Sequence, residues 1–67
     1  MHIGERLKKY RLNQNLTQAE LADMVNKDIS TISKIETNAA NPSLATLNKI
    51  AKALNVSVTE LLGDKPA

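Results

Sequence analysis

Ile29, Ser30, Ser33, Lys34 and Thr37 fall at positions i, i+1, i+4, i+5 and i+8. On a helix of ~3.6 residues per turn, these positions make one continuous stripe. The stripe holds short hydroxyls, one long cation and one aliphatic group. It contains no acid–base pair and no activated nucleophile, so its chemistry is recognition rather than catalysis. Short side chains let a helix backbone come close to a base edge, and a base edge or a phosphate is within the range of Ser30 and Ser33. Lys34 is long enough to reach the O6 or N7 of guanine, and Ile29 suits the methyl group of thymine. The other reading of Ile29 is packing against the preceding helix. The other reading of the polar stripe is an ordinary solvated face. The set Ile29, Ser30, Ser33 and Lys34 is therefore expected to contact bases in the major groove of double-stranded DNA.

A second set fits the sugar–phosphate backbone. Thr17 and Gln18 open a helix, where free N–H groups and the positive end of the helix dipole favour an anion. Thr37, Asn38, Asn41 and Ser43 lie at the end of the stripe and in the loop that follows it, and they add hydroxyl and amide donors.

These residues need a rigid frame, and the apolar spacing predicts an all-α chain of five helices. Helix 1 is expected from Ile3 to Gln14, with Ile3, Leu7 and Tyr10 on one face. The helix-turn-helix, residues 17–37, is expected to comprise helices 2 and 3. Thr17 and Glu20 have the spacing of a capping box, and Leu21, Ala22 and Val25 form the inner face of helix 2. Asn26-Lys27-Asp28 is a turn short enough to force a steep crossing. Asp28 is the expected N-cap of helix 3, with Ile32 and Ile35 inward and Ala22 at the crossing. Pro42 and Ser43 open helix 4, whose apolar stripe is Leu44, Leu47, Ile50, Ala51 and Leu54. Ser57 and Glu60 repeat the capping box before Val58, Leu61 and Leu62 of helix 5. Asn15, Asn26, Asn38 and Asn55 each follow a predicted helix end, where a left-handed backbone favours glycine first and asparagine next.

Composition sets outer limits. The 67 residues allow one small domain, 1–67, with residues 63–67 as a frayed tail. There is no cysteine, which excludes disulfides and thiol chemistry, and no glycine-rich phosphate loop. The single histidine, His2, stands beside the N-terminus, away from any carboxylate pair. No enzyme activity, metal or cofactor is expected. No apolar run approaches a membrane span, and the N-terminus has no apolar signal segment, so a cytoplasmic location without membrane contact is expected. A net charge of +2 is too small to identify a nucleic-acid ligand by itself.

Five segments carry a resemblance: IGERLKKYR at 3–11, LTQAELA at 16–22, STISKIE at 30–36, NPSLATL at 41–47 and IAKALNVSVTELL at 50–62. Together they resemble the Cro/CI-type, or XRE, helix-turn-helix family of phage and bacterial repressors. The resemblance implies a compact five-helix, lambda-repressor-like DNA-binding domain that represses transcription as a homodimer on a palindromic operator. It implies a phosphate contact for Gln18, base reading by Ile29, Ser30 and Lys34, and an Arg11–Glu36 salt bridge beneath the DNA surface. The chain departs from the family pattern at Ala39 and Ala40, where cations are common, and at Asn26, where glycine is usual. Lys27 replaces an apolar residue and becomes a further candidate for phosphate. Leu12 is apolar where charge is usual, and is either a partner contact or an isolated surface leucine. Helices 4 and 5 are the remaining surface, so Leu54, Val56, Val58, Leu61 and Leu62 are the expected dimer contacts; the other reading is that they close the monomer core. The rival function is a protein-interaction module of the same fold, binding a toxin or an anti-repressor.

Overall fold

The computed structural model describes residues 3–63; His2 and positions 64–67 of the predicted tail lie outside them. Five α-helices follow one another: α1 Gly4–Asn13, α2 Gln18–Met24, α3 Ile29–Glu36, α4 Leu44–Leu54 and α5 Val58–Leu62. No strand occurs among the described residues.

The starts of the helices follow local side-chain chemistry. The Thr17 hydroxyl accepts from the Glu20 N–H at 3.0 Å, while the Glu20 carboxylate accepts from the Thr17 N–H at 2.9 Å. Ser57 and Glu60 repeat this at α5, at 3.0 and 3.1 Å. Each reciprocal pair satisfies two otherwise orphaned donors. Ser43 caps α4 through the Thr46 N–H. Asp28 occupies the N-cap position of α3 in extended geometry, but its side chain makes no capping bond, contrary to the sequence expectation.

The helix ends share one device. Asn15, Asn26, Asn38 and Asn55 all have positive φ, at 58, 58, 63 and 61°. In each case the next residue's N–H reaches a carbonyl five positions back: Leu16 to Arg11, Lys27 to Ala22, Ala39 to Lys34 and Val56 to Ala51. This is the Schellman closure, which satisfies orphaned carbonyls and turns the chain sharply. Gly63 closes α5 with φ 80°. It is a C-cap, and a Cβ there would collide with the Arg6 guanidinium.

The core is aliphatic: Ile3, Leu7, Leu21, Ala22, Val25, Ile32, Ile35, Leu47, Ile50, Ala51, Leu54 and Leu61 are buried. The helix α3 packs on α2 and α1, while α5 packs on α4 and α1. The second arrangement corrects two of the expected dimer contacts. Leu54 and Leu61 are wholly buried within the monomer, because α5 folds back over the last turn of α4, whereas Val56, Val58 and Leu62 are half-buried. Leu44 also departs from expectation, at 69% exposed. Helical spacing gives the angle of Leu44 about the axis, but not how far the core extends along it.

Candidate nucleic-acid interface

Ile32 and Ile35 anchor one side of α3 in the core. Helical geometry then turns the opposite side outward. Ser30 and Lys34 are exposed, Ser33 is half-buried, and Ile29 is 52% exposed. Ile29 therefore projects from the ridge and is not absorbed against α2. An α-helix with its side chains is ~10–12 Å across, which fits the ~12 Å width of a B-DNA major groove. The buried Ala22 on α2 permits the close crossing, and Val25 beneath the turn is buried as well.

The candidate phosphate donors differ in what the fold leaves available. The Thr17 hydroxyl accepts the capping bond, which leaves its proton free to donate. Asn38 Oδ1 accepts from the Gly4 N–H at 3.0 Å, so its amide N–H₂ is left to donate. Thr37 Oγ1 donates back to the Ser33 and Lys34 carbonyls at 3.1 and 3.2 Å, so it offers an acceptor rather than a donor in this state. Ser43 Oγ accepts from the Thr46 backbone and lies 3.0 Å from the Thr46 hydroxyl, so it is committed to the cap. Lys27 and Asn41 are exposed.

Gly4 has a part that the sequence pattern did not single out. A Cβ there would collide with the backbone carbonyl of Glu36. Its absence lets the first turn of α1 abut the last turn of α3, and this contact holds Asn38. A glycine inside a helical pattern is the available sequence signal for such a close approach.

Beneath the surface, Arg11 and Glu36 form a two-pronged ion pair. Arg11 Nε donates to Glu36 Oε2 at 2.6 Å and Nη2 donates to Oε1 at 3.0 Å, with side chains 8% and 3% exposed. Arg11 Nη1 also donates to the Leu16 carbonyl at 2.7 Å. Gln18 Nε2 donates to Glu36 Oε1 at 3.0 Å, so the carboxylate ties α1, α2 and α3 together. Burial pushes the Glu36 carboxyl up. The hydrogen bonds from Arg11 and Gln18, with the charges of Arg11 and Lys8, outweigh burial and hold it below its ordinary value. The hydrogen bond to Glu36 raises Arg11 above its ordinary value, against the effect of burial.

Comparison with known proteins gives a consistent picture. The helix-turn-helix family model HTH_3 matches residues 7–61. The chain is 38% identical over 65 residues to the immunity repressor protein of Bacillus phage phi105, covering 97% of this chain and 45% of that protein. It is 41% identical over 64 residues to the transcriptional regulator SinR of Bacillus subtilis (strain 168), covering 94% of this chain and 58% of SinR. It thus spans about half the length of these curated relatives. Its fold matches SinR in complex with DNA with a TM-score of 0.85 at 41% identity, covering 90% of this chain and 97% of that one. It matches the P22 c2 repressor in complex with a synthetic operator with a TM-score of 0.89 at 31% identity, covering 97% and 98%. SinR has also been solved in complex with the protein SinI. On the extent of the family match and these identities, the chain belongs to the Cro/CI-type (XRE) helix-turn-helix family.

Proposed function

We propose that this chain is the sequence-specific double-stranded DNA-binding part of a transcriptional repressor that recognises a palindromic operator as a homodimer. One observation carries the reading: Ile29, Ser30, Ser33 and Lys34 form a ridge on a short helix whose opposite face is locked in the core. The relatives solved with DNA support it. In this reading α3 enters the major groove. Lys34 addresses a guanine, Ile29 a thymine methyl group, and the two serines adjacent base edges. Thr17 and Gln18 at the start of α2, Lys27 in the turn, and Asn38 and Asn41 after α3 hold the flanking phosphates. Thr37 and Ser43 contribute only if their present hydrogen bonds rearrange. The Arg11–Glu36 pair keeps α3 fixed relative to α1.

A symmetric reader requires two recognition helices one DNA turn apart, about 34 Å. Val56 and Val58 line a shallow concavity with Asn48, Lys49, Ala51 and Lys52. This concavity, with Leu62 nearby in sequence, is the proposed dimer face.

Selection of bound sequences from a random DNA pool, followed by titration at several salt concentrations, tests the reading. An enriched palindrome, with log-affinity falling linearly against log salt, supports it. Absence of DNA binding at low salt favours the rival role as a protein-interaction module, for which the complex of SinR with SinI and the exposed Leu12 and Met24 are the supporting observations.

A further inference from the structure

Glu36 does more than an ion pair requires. A bidentate arginine fills only two of a carboxylate's roughly four acceptor sites, and Glu36 Oε1 accepts from both Arg11 Nη2 and Gln18 Nε2, each at 3.0 Å. Gln18 is the first residue of α2 and is half-buried. An untethered glutamine there would sample several rotamers and lose that freedom on binding a ligand. Here one Nε2 hydrogen is fixed to a carboxylate that is itself fixed on two sides by Arg11. Among the described residues, the second Nε2 hydrogen has no hydrogen-bond acceptor. The guanidinium also neutralises Glu36, so an anion can approach the tethered amide without facing an uncompensated carboxylate. Arg11 is in turn held by the Leu16 carbonyl at 2.7 Å, just before the Thr17 cap of α2. The chain of contacts therefore begins and ends at the start of α2.

We propose that Glu36 is a positioning residue for DNA-backbone binding: it holds the Gln18 amide in one orientation, with the second N–H ready for a phosphate at the start of α2. This rests on the DNA-binding reading above and adds a role for a residue that does not itself touch DNA. Its effect is independent of base sequence, because a phosphate carries no sequence information.

The test compares two double variants that both remove the buried cation. Arg11→Met with Glu36→Gln keeps an acceptor oxygen for Gln18, whereas Arg11→Met with Glu36→Leu removes it. If Glu36 only docks the helices, both bind DNA alike. If it positions Gln18, the leucine variant loses about ten-fold affinity for every sequence, the glutamine variant keeps most of it, and adding Gln18→Ala to the leucine variant costs nothing further. A readout without DNA accompanies this. By nuclear relaxation, the Gln18 side-chain amide of the unaltered protein should be as rigid as backbone, with an order parameter of about 0.85, and should fall below about 0.6 in the leucine variant. The relaxation measurement on the unaltered protein decides even if a variant fails to fold. A freely rotating Gln18 amide, equal affinities for the two double variants, or a full additional loss from Gln18→Ala would each overturn the proposal. A tethered amide in a protein that binds no DNA would overturn the DNA-binding reading and the proposal together. A tethered amide with Lys34→Ala still weakening one base position, but no effect of Gln18→Ala, would overturn the proposal alone.

Discussion

Replacing Glu36 by leucine while leaving Arg11 in place should come close to unfolding the chain. The buried guanidinium would lose two of its three hydrogen bonds, keeping only that to the Leu16 carbonyl. Breaking one side of a buried pair costs about 3–5 kcal/mol, mostly through the uncompensated charge. At roughly 0.05–0.15 kcal/mol per residue, 67 residues carry a total stability of about 3–10 kcal/mol. The variant therefore forfeits a large share of the whole. With a urea m-value near ~1 kcal/mol per molar for a chain this small, the unfolding midpoint should fall by about 3 M or more, or vanish. Arg11→Met combined with Glu36→Leu should recover most of the loss, because two apolar groups replace the pair without stranding a charge. Far-ultraviolet circular dichroism follows both transitions. A single variant within about 1 kcal/mol of the original, or a double variant as unstable as the single, would refute the reasoning. Acidification gives the same test without mutation. Glu36 is held below its ordinary value in the folded chain, so its contribution is present above the unfolded carboxyl pKa of about 4.3. It is lost as pH falls through the lower, folded value.

Three further outcomes are expected. Lys34→Ala should cost about 1–3 kcal/mol at one base position and relax preference there, with urea stability changed by less than about 0.5 kcal/mol because Lys34 is exposed; competition with single-base operator variants checks this. Gly4→Ala should destabilise by about 1–3 kcal/mol, since its Cβ has to displace the Glu36 carbonyl, and should weaken binding to all sequences by freeing Asn38; urea unfolding and non-specific DNA titration measure the two effects. Asn55→Ala should cost about 1–2 kcal/mol because its φ of 61° is left-handed, whereas Asn55→Gly should match or exceed the original in thermal unfolding.

Most of the helical frame was legible because each boundary is set by adjacent residues. Thr17 with Glu20 and Ser57 with Glu60 have the spacing of a capping box, and capping is a contact between positions three apart. The four asparagines were readable for the same reason, since a left-handed φ is a single-residue demand. Asp28 shows the limit of such inference: residue type gave its position at the N-cap but not its rotamer. Leu44 as an inward residue, and Leu54 and Leu61 as dimer contacts, failed in a different way. All three are apolar at helical spacing, and which of them is covered depends on where α5 lands against α4 and α1, a long-range outcome. In the candidate interface, the outward ridge of α3 followed from its amphipathic pattern. The Gln18–Glu36 and Gly4–Asn38 bonds did not, because they join residues 18 and 34 positions apart and depend on the assembled core.

Those two bonds explain how a chain with a net charge of only +2 can serve the role proposed for it. Charge attracts DNA from a distance, but it is screened by salt and carries no orientation. Amide donors act only at contact, and their benefit depends on how little freedom they lose there. Gln18 is tethered through Glu36 and Asn38 through the Gly4 N–H, each by one end of its amide, with at least one N–H left over. The ordering cost is met during folding, by the same α1–α2–α3 packing that fixes the recognition helix. Ala39 and Ala40 then need not be cations, since neighbouring donors are already held in place. In the proposed role stability and phosphate binding are coupled: a change that loosens α1 against α3 should degrade both, even when every residue proposed to face the DNA is intact.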